Sequence, residues 1–89
     1  MRSHLTAEFI SCFRKLPARI QRLARKNYKL WKQDPSHPGL QFKRVGKRKP
    51  VFSVRVGIGW RALGLQMGDA VVWFWIGSHA EYETLVVDT

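Results

Sequence analysis

Four side chains in the second half of the sequence are suited to chemistry on a phosphate: Arg55, Arg61, His79 and Tyr82. Residues 51–56 alternate, with Phe52, Val54 and Val56 on one face of a strand and Ser53 and Arg55 on the other. Arg61 opens the next apolar stretch after the turn Gly57-Ile58-Gly59, so the two arginines can be neighbours on one face. His79 and Tyr82 follow the last apolar run and can fold over its end. Guanidinium groups stabilise charge that develops on a phosphate. An imidazole moves protons near neutral pH, and a phenol donates a hydrogen bond or offers a stacking face. Together these groups could cleave a phosphodiester without a metal. The competing structural reading makes Arg55 and Arg61 ordinary strand arginines paired with Glu81 and Glu83, and His79 a loop cap.

Other motifs are weaker. Gly57-x-Gly59-x-x-Ala62 has the outline of a dinucleotide fingerprint. That motif must lead from a strand into a helix, and here it lies between two strands. Ser78 beside His79 lacks the surrounding turn of a hydrolase nucleophile. His4, His37 and His79 are widely spaced and lack the partners of a zinc site, so neither metal nor other cofactor is expected. The single cysteine, Cys12, excludes an internal disulfide, reads as a small core residue and fits a reducing, cytoplasmic setting. Trp73 and Trp75 serve equally well as a stacking platform on an open sheet face or as packing residues.

Charge narrows the choice of partner. The 89 residues carry 16 Lys/Arg against 6 Asp/Glu, a net charge of +10. Residues 1–61 hold every basic residue and only Glu8 and Asp34, a balance of +14; residues 62–89 hold four acids and no base, a balance of −4. Such a field attracts polyanions. The candidate nucleic-acid-binding set is Arg19, Arg22, Arg25, Lys26 and Lys29 on a helix, followed by Lys43, Arg44, Lys47, Arg48 and Lys49. No membrane role is expected: the longest apolar run, residues 70–77, falls short of the roughly 18 residues of a span, and no apolar leader follows Met1.

The elements that must position these groups change period midway. Thr6 can cap a short helix containing Phe9, Ile10, Phe13 and Leu16. Pro17 stops it and suits the start of a second helix. Ile20, Leu23, Ala24, Asn27, Leu30 and Trp31 trace one face of that second helix to about Gln33, opposite a cationic face that also includes Lys32. Asp34-Pro35-Ser36-His37-Pro38-Gly39 ends it. Strands are expected at 40–45, 51–56, 60–66 and 70–76, with a basic loop at 46–50 and a polar loop or short helical turn at 77–83. Short turns imply an antiparallel meander. The expected fold is α+β: a helical hairpin packed on one face of that meander, in a single domain over residues 1–89.

The order and spacing of several segments resemble the RelE/ParE superfamily of bacterial toxin–antitoxin toxins. These are Leu16-Pro17, Asp34-Pro35-Ser36-His37-Pro38-Gly39-Leu40, Phe42-Lys43, Ser53-Val54-Arg55-Val56-Gly57, Trp60-Arg61-Ala62-Leu63-Gly64 and Trp73-Phe74-Trp75-Ile76-Gly77-Ser78-His79-Ala80-Glu81-Tyr82. The resemblance implies the same helical hairpin on a sheet, and family toxins open with a strand for which only residues 2–5 are available here. Its RelE-like branch implies cleavage of mRNA on the ribosome by attack of a 2′-hydroxyl. Arg61 then matches the phosphate-stabilising arginine, Arg55 a basic strand position, His79 a basic or histidine position after the last strand, and Tyr82 the late tyrosine. Ser53 occupies a position where active members place a general base, a role open to Lys43, His79 or Glu81. The ParE-like branch implies inhibition of DNA gyrase by binding alone. A basic RNA-binding module without toxicity is the third reading. Both branches imply a small acidic antitoxin from an adjacent gene.

Overall fold

Thr6 begins the first helix as its side chain predicts, its hydroxyl accepting the Phe9 amide hydrogen and donating to the Trp73 carbonyl. The computed structural model describes residues 1–86. In chain order these form β1 (Arg2–Leu5), α1 (Ala7–Arg14), α2 (Ala18–Gln33), β2 (Lys43–Arg44), β3 (Val51–Val56), β4 (Trp60–Met67), β5 (Ala70–Ser78) and α3 (His79–Val86). Pro17 separates the first two helices, and its carbonyl accepts from the Ile20 and Gln21 amides. The α2 stripe faces inward as its spacing requires, with Ile20, Ala24 and Trp31 buried. No described helix is long and apolar enough to cross a membrane.

The five strands lie in the order β1-β5-β4-β3-β2. From β2 to β5 every pairing is antiparallel, the expected meander. One addition changes the sheet's character. The short β1 is present and runs parallel to β5, with Arg2 opposite Ala70 and Leu5 opposite Trp73, so the sheet is mixed and β5 lies inside it. The strand expected at 40–45 shrinks to Lys43–Arg44. Pro38–Leu40 forms a 3-10 turn that buries Leu40, and Gln41 takes a left-handed conformation (φ 47°) that breaks any extended backbone there.

A register shift sits where Leu63 pairs with Trp75 but Gly64 pairs with Trp73, leaving Phe74 as an extra residue in β5. This bulge turns Trp73 and Trp75 to opposite faces. Trp73 points at the helices and is 4% exposed, which overturns its candidacy as a stacking platform. It joins Trp31, Ile20, Ala24, Val54, Ala62 and Ile76 in the core between helices and sheet. Trp31 crosses Trp73 edge-on, with centroids 5.2 Å apart. Cys12 is partly buried against this core.

Candidate functional site

Cross-strand register assembles the site. Val54, Ala62 and Ile76 are partners across β3, β4 and β5, and all three belong to the helix-facing core. The next rung therefore faces the other way, and it is Arg55, Arg61 and Gly77. Arg55 and Arg61 are thus directly opposite each other across two strands, on the sheet's outer face. Arg55 donates from Nε to the Gly57 carbonyl at 3.1 Å, and Arg61 from Nη1 to the Trp60 carbonyl at 2.9 Å. Each bond uses one of five N–H donors and fixes the direction of the group. Gly57 makes the adjoining turn possible with φ 65°, a conformation that favours glycine.

The segment after β5 is a helix of two turns, longer than the loop or single turn expected. Its start is a capping box. Ser78 donates from its amide and hydroxyl to the Glu81 carboxylate, and its hydroxyl oxygen accepts the Glu81 amide hydrogen. The sequence Ser-x-x-Glu at 78–81 carried that signal. The helix lies over β4 and β5 and covers part of the outer face. His79 and Tyr82 come together on it, ring centroids 5.6 Å apart, and the Tyr82 ring lies 6.0 Å from the Arg61 guanidinium carbon. The structure therefore gathers Arg55, Arg61, His79 and Tyr82 at one end of the outer face.

Like charges directly opposite each other in a sheet repel. The expected carboxylate partners are engaged elsewhere: Glu81 with Ser78, and Glu83 with His79 at 3.5 Å. Among the described residues, the charged contacts are Arg2–Asp69 and, when the imidazole is protonated, His79–Glu83, so neither Arg55 nor Arg61 is in an ion pair. The pairing of these arginines with Glu81 and Glu83 does not form.

Ser53 sits two rungs away on the same face, between Lys43 and Leu63, and is only 2% exposed. Its hydroxyl is closed to a substrate. Lys43 is exposed at the end of that rung, and the Glu81 carboxylate stands over Gly77. Trp75 belongs to the same rung as Ser53 and remains half-buried on the outer face.

All ten residues of the candidate nucleic-acid set are exposed, but they form two surfaces. Lys43, Arg44, Lys47, Arg48 and Lys49 occupy β2 and the turn to β3, at the sheet edge. Arg19, Arg22, Arg25, Lys26 and Lys29 lie on α2, across the sheet from Arg55 and Arg61. Arg25 stacks on Phe13 with its guanidinium carbon 5.0 Å from the ring centre.

Between the helices and the sheet lies an apolar cleft of about 280 Å³, lined by Leu5, Phe9, Phe13 and Trp31 from one side and Val54 and Trp73 from the other, among others. Leu5 and Ile10 are exposed at its mouth.

A search among curated proteins finds no match. Similar solved structures include a copper-bound mutant toxin from Helicobacter pylori, with a TM-score of 0.63 and 22% identity over 91% of this chain and 97% of that one. A YoeB/ParE toxin from Agrobacterium tumefaciens gives 0.67 and 13% identity over 89% and 99%. An archaeal RelE–RelB complex from Pyrococcus horikoshii OT3 gives 0.65 and 10% identity over 86% and 92%. At these identities the likeness is one of fold. A family model adds sequence evidence by matching residues 18–84, and the chain belongs to the ParE-like toxin domain family.

Proposed function

We propose that this toxin is a ribosome-dependent mRNA endoribonuclease whose reaction needs no metal. The observation that carries the reading is the facing pair Arg55 and Arg61, held on one sheet face without a carboxylate partner. An uncompensated like-charge pair lowers stability, and a scissile phosphate supplies the anion it lacks. In the reaction the 2′-oxygen forms a bond to phosphorus and the bond to the 5′-oxygen breaks. The 2′-hydroxyl loses a proton and the departing oxygen gains one. Arg55 and Arg61 hold the charge on phosphorus, His79 moves a proton, and Tyr82 orients the substrate beside it. Since Ser53 is buried, the Glu81 carboxylate is the further group able to accept the 2′-proton, and Lys43 can take that role only as the neutral amine.

The second reading is a ParE-like toxin that binds DNA gyrase without cleavage. The family match and the closed Ser53 favour it. Primer extension on cellular mRNA after induced expression separates the two. Codon-phased cuts support the nuclease, whereas intact mRNA with blocked replication supports the gyrase inhibitor.

The partner on this reading is a small acidic antitoxin from an adjacent gene, acting in the cytoplasm. The RelE–RelB complex among the similar structures offers a precedent in another protein. The cleft between the helices and the sheet suits the apolar side of such a partner, and the exposed cations of α2 suit its acidic side.

Ribosome binding should depend steeply on salt. Neutralising about six phosphates lowers affinity roughly 10³-fold between 50 and 200 mM salt. Changing Arg19, Arg22, Lys26 and Lys29 to Gln should flatten that dependence without lowering the melting temperature, because all four are exposed. An unchanged slope would remove α2 from the interface.

A further inference from the structure

Beside Arg61 the outer face carries an aromatic ring that the packing does not consume. Trp75 is half-buried, in contrast to Trp73, which the core encloses. The position of its ring is fixed by Gly77. A Cβ placed on Gly77 would come within 2.5 Å of Trp75 Cζ2, 3.0 Å of Trp75 Cη2 and 3.2 Å of Glu81 Oε1. The six-membered ring of the indole therefore lies along β5, over the one residue type that leaves room for it. Gly77 is the rung partner of Arg61, so the ring edge reaches the rung of the two arginines. Neighbouring strands lie about 4.8 Å apart, so the Trp75 ring edge over Gly77 is about one strand spacing from the Arg61 backbone.

That spacing matches the chemistry of a nucleotide, whose base is one sugar removed from its phosphate. Tyr82 approaches Arg61 from α3, and Trp75 approaches the same rung from β5. We propose that Trp75 is the base platform of this site: the nucleobase on the 5′ side of the scissile phosphate stacks on its indole, while Gly77 keeps the ring against the sheet. This inference rests on the nuclease reading. Every base has a face to stack, so the platform accepts all four, and the larger purines stack more strongly. It gives the site a purine preference at that nucleotide.

The test is single-turnover cleavage of ribosome-bound mRNA carrying adenosine, uridine or an abasic nucleotide 5′ to the cut. With the wild-type protein, the abasic substrate should be cleaved roughly 5- to 150-fold more slowly than the adenosine substrate. Trp75→Ala should cut the intact mRNA at about that reduced rate and show no further loss on the abasic one. Trp75→Phe should recover part of the difference, which guards against a fold defect in the alanine variant. Gly77→Ala keeps the indole but displaces it, and should behave like Trp75→Ala. If the abasic penalty in Trp75→Ala equals that in the wild type, the ring does not hold the base and the proposal is overturned. Equal rates on all three substrates by an active wild type overturn it while leaving the nuclease reading intact. Absence of cleavage by the wild type overturns both.

Discussion

Arg61→Ala should slow mRNA cleavage roughly 10²–10³-fold, about 3–4 kcal/mol of transition-state stabilisation. Arg61 lies between Arg55 on β3 and Gly77 on β5, and its bond to the Trp60 carbonyl leaves most of its donors for a phosphate. Lys at this position should recover only part of the rate, because an ammonium is a point charge and not a planar fork. The folded protein should not suffer. Removing one member of an unneutralised arginine pair relieves repulsion, so the melting temperature should hold or rise slightly. Ribosome affinity should change little, since the exposed cations of α2 and the β2–β3 turn remain. Cleavage, melting temperature and ribosome binding measured on the same three proteins decide the matter. Wild-type cleavage by folded Arg61→Ala would move the assignment to the gyrase-binding toxin.

The largest effect on stability should come from Trp31→Ala. Trp31 is 1% exposed and touches three other aromatic rings: Tyr28 nearly parallel at 6.3 Å, Phe42 edge-on at 5.6 Å and Trp73 edge-on at 5.2 Å. Its removal takes the centre out of the contact between α2 and the sheet. The expected cost is about 3–5 kcal/mol, a lowering of the melting temperature on the order of 20 °C for a domain of this size. Trp31→Phe should cost much less. The Trp31 indole N–H is buried without a hydrogen-bond acceptor, so phenylalanine removes an unmatched donor along with part of the ring. Lys29→Ala, at an exposed position two residues earlier, should stay within about 0.5 kcal/mol of the parent. A loss below about 1 kcal/mol for Trp31→Ala in chemical denaturation would show that this aromatic contact does not hold the layers together.

The parts of the fold that follow from local chemistry were legible in the sequence. Thr6, Pro17 and the inward stripe of α2 fixed both helices, and the alternation of Val51–Val56 fixed which face carries Arg55. Because antiparallel pairing follows from a short turn, Arg55 and Arg61 read as near neighbours on one face, and the register makes them direct partners. Features without a local signal escaped. The run 70–76 is apolar throughout, so its period gives no sign of the bulge at Phe74 that separates Trp73 from Trp75. The pairing of β1 joins residues nearly seventy positions apart, and four residues carry too little pattern to predict it. The capping box at Ser78 and Glu81 was readable and marks α3 plainly. The basic residues were visible one by one, but their division between the helix layer and the edge of the sheet required the topology.

The parallel pairing of β1 bears on how the protein avoids clumping. The core of β5, Ala70-Val71-Val72-Trp73-Phe74-Trp75-Ile76, has no charge, no proline and, after Ala70, only strong β-forming residues. A segment of that composition with a bare edge templates stacking between chains. β4 covers one edge and β1 the other over Ala70–Trp73, and β1 carries an exposed Arg2, paired with Asp69, and an exposed His4. Tyr28 on α2 holds β1 in place through a hydrogen bond with the Ser3 hydroxyl. Four residues at the margin of the sheet thus keep the backbone of Ala70–Trp73 from offering an unpaired, uncharged edge to another chain.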